Sequence, residues 1–204
     1  MNLGELYSDI HNCRKCSGVI PCKVARQVVE GAGKSKIVLM GQAPSENGVR
    51  ITGYHWVGLN NRKKSSTTFL DDYLKSIGYS IDPSSRLIRP YTTNVLHCWT
   101  GKKGQRDRKP SREELITCRY WWLKEFKLIN PNIILLLGKV AAESFSSARG
   151  DQRRFFELLR CQGEQNSFEA LTFYRFVVPH PAAAYPNKSQ IYKDVFTQIG
   201  HILK

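Results

Sequence analysis

What this chain is short of narrows its possibilities first. Of its 204 residues only 17 are Asp or Glu, against 31 Lys or Arg, a formal charge of +14. So lopsided a balance favours a polyanionic partner, nucleic acid above all. The few acidic residues form no metal-binding carboxylate cluster, which argues against metal-dependent strand cleavage. No uncharged apolar run approaches the roughly 20 residues of a membrane helix. The start, Met1 to Tyr7, also lacks the basic-then-apolar layout of a secretory signal. A cytoplasmic protein with no membrane partner is therefore expected. No internal repeat, low-complexity tract or interdomain linker interrupts the chain, so residues 1–204 are expected to form one domain. At 41% hydrophobic and 24% charged, it has an ordinary globular composition and enough length for a sizeable core.

Cysteine is present six times. In an intracellular chain that number points to metal binding or reactive thiols rather than disulfides. Cys13-x-x-Cys16 is a two-ligand hook, Cys22 follows soon after, Cys98 and Cys118 lie centrally, and Cys161 stands apart.

Hydrophobic periodicity supplies the fold class. Apolar runs at 36–40, 91–97, 133–137 and 173–178 read as strands, and Ile133–Leu137, apolar on both faces, reads as a central parallel one. Helices are expected over 66–77, with Phe69, Leu70, Tyr73, Leu74 and Ile77 on one face, over 189–203, and from Gly138 through Phe145. Ser111 with Glu114 forms a capping box that opens a helix to about Ile129, placing Leu115, Cys118, Trp122 and Phe126 on one stripe. Strands alternating with helices predict an α/β fold, a three-layer α/β/α sandwich with a mostly parallel central sheet of about four strands.

Two strand ends carry the chemistry. Lys36–Met40 breaks into Gly41-Gln42-Ala43-Pro44-Ser45-Glu46-Asn47-Gly48 and runs on to Trp56-Val57-Gly58. Phe173–Val178 breaks into Pro179-His180-Pro181-Ala182. Open α/β sheets bind ligands at the carboxyl ends of their strands, so these two ends are expected to form one pocket. Basic runs at Arg62-Lys63-Lys64, at Lys102, Lys103, Arg106, Arg108 and Lys109, and at Arg149, Arg153 and Arg154 are candidate phosphate contacts.

In order along the chain, several of these pieces resemble the iron–sulfur uracil-DNA glycosylases, family five first and family four next. Gly41-x-Ala43-Pro44 followed by Gly48-x-Arg50-x-Thr52-Gly53-x-x-Trp56-x-Gly58 resembles their first motif. Thr93-Asn94-Val95-Leu96-His97-Cys98 resembles their central strand, and Pro131 to Ala141 their third strand with its helix. His180-Pro181-Ala182 resembles their second signature. The resemblance spans residues 13 to 190. It implies a DNA glycosylase of base excision repair that flips out and hydrolytically excises uracil or another deaminated base, acting as a monomer on single-stranded or uracil-containing DNA. It also implies a 4Fe–4S cluster on Cys13, Cys16, Cys98 and Cys118, with zinc the rival metal for four thiolates. The cluster would pin the N-terminal segment to the sheet, and Cys22 and Cys161 are read as core thiols.

Base removal sets tasks that the matching positions can take up. Trp56 would stack on the base beside Ala43 and Pro44, Asn94 would read its Watson–Crick edge, and His180 would donate a hydrogen bond to the oxygen on which charge develops. Tyr185, after His180, is the candidate wedge for the vacated stack, with Lys188 beyond it. One part departs from the pattern. Family four carries a carboxylate after the first Gly of the motif, where this chain has Gln42, and family five an Asp after the last, where it has Leu59. Gln42 can orient a water but not act as its base, and Glu46 is the first choice to replace the base, ahead of Asn47 and Asn60. The alternative is a catalytically impaired member that binds lesions or DNA.

Overall fold

The computed structural model describes residues 1–21, 35–46, 48, 55–56, 65–168 and 171–204. Its spine is a five-stranded sheet. Strands β2 (Ile37–Gly41), β3 (Tyr91–Asn94), β7 (Ile133–Leu137), β8 (Glu164–Phe168) and β9 (Leu171–Val178) lie in the order β3-β2-β7-β9-β8. The first four are parallel, and β8 closes one edge antiparallel to β9. The sequence expectation of about four strands omits β8. Glu164-Gln165-Asn166-Ser167-Phe168 has no apolar alternation, because an edge strand paired on one side need not be buried on both faces.

Alternation along the inner strands sorts side chains between two cores. Val38, Met40, Ile134, Leu136, Phe173 and Val177 face one layer, and Ile37, Leu39, Ile133, Leu135, Leu137, Phe176 and Val178 the other. The first face is covered by α1 (Leu3–Asn12), α3 (Arg112–Ile129), α4 (Lys139–Ala148) and the single turn α5 (Phe155–Leu158). The second is covered by α2 (Ser65–Lys75) and α6 (Lys188–Ile202). The expected three layers are therefore present, and among the described residues no helix is long and apolar enough to cross a membrane.

Local chemistry sets the helix ends. Ser111 and Glu114 make the reciprocal capping box at the start of α3, and Asn2 with Glu5 makes another at α1. Asn130 stops α3 in the left-handed conformation, which Asn tolerates better than most residues. Two short hairpin-like pairings complete the described elements. β1 (Ile20–Pro21) pairs with β4 (Cys98–Trp99), which ties the N-terminal segment to the chain after β3. β5 (Lys102–Lys103) pairs with β6 (Arg106–Asp107), so the basic loop is a hairpin.

Candidate active site

The carboxyl ends of β2, β3, β7 and β9 form the floor of the site. Backbone bonds from Val95 to the Gly41 carbonyl (3.0 Å) and from Leu96 to the Gln42 carbonyl (3.1 Å) zip the first two strands past their ends. Gly41 sits opposite Asn94 in the register, and a Cβ there would stand 2.6 Å from Asn94 Oδ1. Glycine at this position is what lets the buried Asn94 side chain lie across the strand end. On the far side, Gly138 follows β7 with φ +89°, and a Cβ on it would meet His180 Cβ at 3.0 Å. Gly138 therefore answers both to backbone conformation and to the close passage of His180. Three strand spacings, roughly 14 Å, separate the β3 and β9 ends, room for a flat ring between them.

His180 is held firmly. Ala182 N–H donates to its Nδ1 at 3.2 Å, which leaves the ring proton on Nε2. Burial, helped by the charge of Lys188, pushes its pKa below the ordinary histidine value, so the ring is a neutral donor. Lys188 Nζ donates to the carbonyls of Pro181 (2.8 Å) and Ala183 (2.9 Å), while Tyr192 donates to that of Pro179 (2.7 Å). The loop is thus tied at both ends. Trp56 lies against it, its ring 5.5 Å from the His180 ring and tilted by 30°. Trp56 has φ +68°, unusual for a bulky residue, and its carbonyl is held by Thr67 Oγ1 at 2.8 Å.

The other expected residues fall out as follows. Pro44 is buried, while Gln42 and Ala43 are half-buried beside Gly41. Glu46 binds Lys102 at 2.6 Å, which anchors the loop after β2 to the β5–β6 hairpin. Arg62, Lys63 and Lys64 lie outside the described residues, as do Cys22, Asn47, Arg50, Thr52, Gly53, Gly58, Leu59 and Asn60. Lys103 and Arg106 are exposed on the hairpin, whereas Arg108 grips Glu114 (2.6 Å) and the Thr100 carbonyl (3.1 Å). Tyr185 is half-buried, stacked on Phe156 and edge-on to Phe155. The 149–154 run turns inward. Arg153 binds both Asp151 and Glu164 at 2.8 Å, beside a fully buried Arg175 that reaches the same two carboxylates. Arg149 lies over the rings of Phe145 and Phe173. These arginines are claimed by carboxylates and rings that sequence spacing does not reveal.

The four cysteines of the metal expectation line one small cavity together with Ile10, Val19, Leu96 and Trp121. Burial, then the neighbouring Cys118, raises the Cys16 thiol, a sign of sulfurs gathered in an apolar place. Among the described residues no three His, Cys, Asp or Glu side chains are arranged to hold a single metal ion. Behind the cavity stands a charged group that sequence reasoning missed. The His97 backbone N–H and Nδ1 both lie 3.3 Å from Cys118 Sγ, and His97 Nε2 is 3.0 Å from Glu125. Glu125, fully buried, also accepts from Tyr7, Tyr91 (2.7 Å) and Thr93 (2.6 Å). Burial works against a charged His97, yet Glu125 and Cys118 outweigh it and raise the ring to about 10. A second missed residue is His55, whose Nδ1 lies 3.3 Å from Asn94 Nδ2.

A family model, described as the uracil DNA glycosylase superfamily, matches residues 28–204. The chain belongs to that superfamily. It is 28% identical over 207 residues to the Type-4 uracil-DNA glycosylase of Archaeoglobus fulgidus, covering 98% of this chain and 93% of that one. To the Type-4 uracil-DNA glycosylase of Sulfurisphaera tokodaii it is 24% identical over 204 residues, covering 98% and 84%. Both carry the name of one of the two types the first motif resembles. The fold is similar to the crystal structure of Pedobacter heparinus SMUG2, with a TM-score of 0.50, 13% identity and coverage of 83% of this chain and 74% of that one.

Proposed function

We propose that this protein is a DNA glycosylase that flips uracil or another deaminated base out of DNA and hydrolyses its glycosidic bond. The observation that carries the reading is the pairing of a buried amide, Asn94, with a neutral imidazole, His180, across Gly41 and Gly138 at the strand ends. The membership of the superfamily and the names of its relatives support it.

The chemistry follows from what those groups can do. A flipped base enters above Gly41, Ala43 and Pro44 and lies against Trp56. Asn94 reads its edge with one donor and one acceptor. As the glycosidic bond lengthens, negative charge grows on the base, and His180 Nε2–H donates to the oxygen that receives it. A preformed neutral donor in a water-poor site gains strength as that charge appears. Because departure of the base is largely dissociative, the attacking water needs placing more than it needs a strong base. Gln42, at the end of β2, can orient it, and Glu46 is the carboxylate on the same loop, held by Lys102 in this state.

Cys13, Cys16, Cys98 and Cys118 would hold a 4Fe–4S cluster. Each thiolate of such a cluster binds a different iron, so the sulfurs stand wider apart than around one zinc, in keeping with four cysteines that share a cavity without closing on a point. The cluster would act as a staple, joining the chain after α1 to the end of β3 and to α3. On the outside, Lys103 and Arg106 on the hairpin, with Arg62, Lys63 and Lys64, supply phosphate contacts. Tyr185 fills the vacated stack, while Lys102, Arg108 and Lys188 act by fixing the loops that carry these groups. We read the chain as one intracellular domain working as a monomer, with single strands among its substrates.

Uracil- and hypoxanthine-containing oligonucleotides, treated with alkali after incubation with cluster-loaded protein, test the reading. Cleavage at the lesion is expected, and no product from any deaminated base would sink it. A second reading, lesion binding without turnover, draws on Gln42 and Leu59 at both carboxylate positions. Tight binding to the lesion without cleavage, unchanged by Asn94→Ala and His180→Ala, would favour it.

A further inference from the structure

His55 has no task in the account so far, yet it touches the residue that meets the base. Its Nδ1 lies 3.3 Å from the side-chain nitrogen of Asn94. An amide nitrogen can only donate, so Nδ1 accepts and the ring proton sits on Nε2. Burial pulls His55 down to about 4, with Glu125 opposing and His97 reinforcing the shift, and the ring is uncharged near neutral pH. Backbone geometry delivers it there. The next residue, Trp56, adopts the left-handed conformation and is tied down by Thr67.

The opposite end of the same amide is also restrained. Asn94 Oδ1 occupies the space that any side chain at residue 41 would fill. Asn94 itself is 6% exposed. Turning the amide over would set its oxygen against the His55 lone pair and lose the hydrogen bond.

We propose that His55 is a specificity-determining residue, fixing which end of the Asn94 amide a flipped base meets. The proposal rests on the reading of Asn94 as the base-reading residue. Its consequence lies in what deamination does to a base edge. Uracil and hypoxanthine both present a carbonyl beside a ring N–H, and an amide fixed in one orientation can answer that pair with its own N–H and oxygen. Cytosine and adenine present an amine beside a bare ring nitrogen, the reverse order, and require the amide turned over. A locked Asn94 thus recognises the lactam edge as a class and rejects the two undamaged parents. His55 touches Asn94 rather than the base, so it acts as a positioning residue.

Oligonucleotides carrying a single 2′-fluoro-2′-deoxyuridine or 2′-fluoro-2′-deoxycytidine resist excision and let binding be read apart from turnover. The wild-type protein should prefer the uracil strand. His55→Leu should shrink that preference roughly ten-fold, the worth of one lost hydrogen bond together with an opposed lone pair removed. His55→Asn, whose side-chain oxygen can stand where Nδ1 stood, should restore most of it. On an Asn94→Ala background the two His55 variants should bind alike. A preference unchanged in His55→Leu, or an equal loss on both strands that His55→Asn does not repair, overturns the proposal. If the wild type excises nothing yet shows the His55-dependent preference, the glycosylase reading fails and this one stands. If it excises uracil with a preference indifferent to His55, the reverse holds.

Discussion

The base-facing end of β3 and the cysteine-lined stretch just beyond it lie a few residues apart and handle charge in opposite ways. Around Asn94 the groups are an amide, an indole and two histidines held neutral. Around His97 a charged ring sits against a fully buried carboxylate, ringed by Tyr7, Tyr91 and Thr93. Neutral donors respond to charge that appears during a reaction. A buried ion pair with satisfied lone pairs is indifferent to it and instead fixes positions, because neither partner can leave without stranding the other. Thr93 belongs to the second region and Asn94 to the first, so one strand end carries both.

The sharpest way to break the contrast is to remove a buried charge. Glu125→Ala leaves His97 unpaired in the core and should cost about 3–5 kcal/mol of stability in a denaturant titration. Next comes the reacting side. His180→Ala should lower single-turnover excision roughly 10²–10³-fold while the unfolding midpoint moves little, since the ring's printed bond is to a loop N–H. A stability loss without a rate effect in that variant would blur the distinction. Gly138→Ala should do both, because its φ of +89° and the 3.0 Å approach to His180 burden fold and site together. We expect about 1–3 kcal/mol lost from backbone strain, with reduced excision in the folded fraction.

A smaller effect separates the two basic runs. Lys103→Ala with Arg106→Ala should flatten the salt dependence of DNA binding by about one unit of slope per contact and leave stability alone. Arg153→Ala should do the opposite, since Arg153 is bound to Asp151 and Glu164. Acid should also act on the base-facing region. As pH falls from the ordinary histidine value of 6.5 toward the 4 of folded His55, the unfolded chain takes up a proton that the folded ring refuses. Stability contributed by the neutral ring is complete above 6.5 and declines through that window, and His55→Asn should show a flatter acid limb.

Much of this was legible in the sequence because it rests on local rules. Alternation placed Ile133–Leu137 at the centre, the Ser111–Glu114 box opened α3, and Gly41 and Gly138 marked the strand ends. Asn94 and His180 arrive at one edge because parallel strands share a direction. What escaped depends on contacts between distant segments. His97 meets Glu125 from 28 residues away, and His55 meets Asn94 from 39. Nothing in the spacing of either pair marks it, and a polar residue such as Glu125 on an otherwise apolar helix stripe reads as surface until its partners are known. The inward turn of Arg149 and Arg153 escaped for the same reason. Charge can be counted in a sequence, but its partners cannot.

The central claim is that Asn94 and His180 together make a site that releases a deaminated base. Single-turnover excision from a uracil-containing oligonucleotide, compared among wild type, Asn94→Ala and His180→Ala at matched folding, tests it most directly. The account predicts alkali-labile product from the wild type and a fall of roughly 10²-fold or more in each variant. Product formed equally well by all three proteins would contradict it.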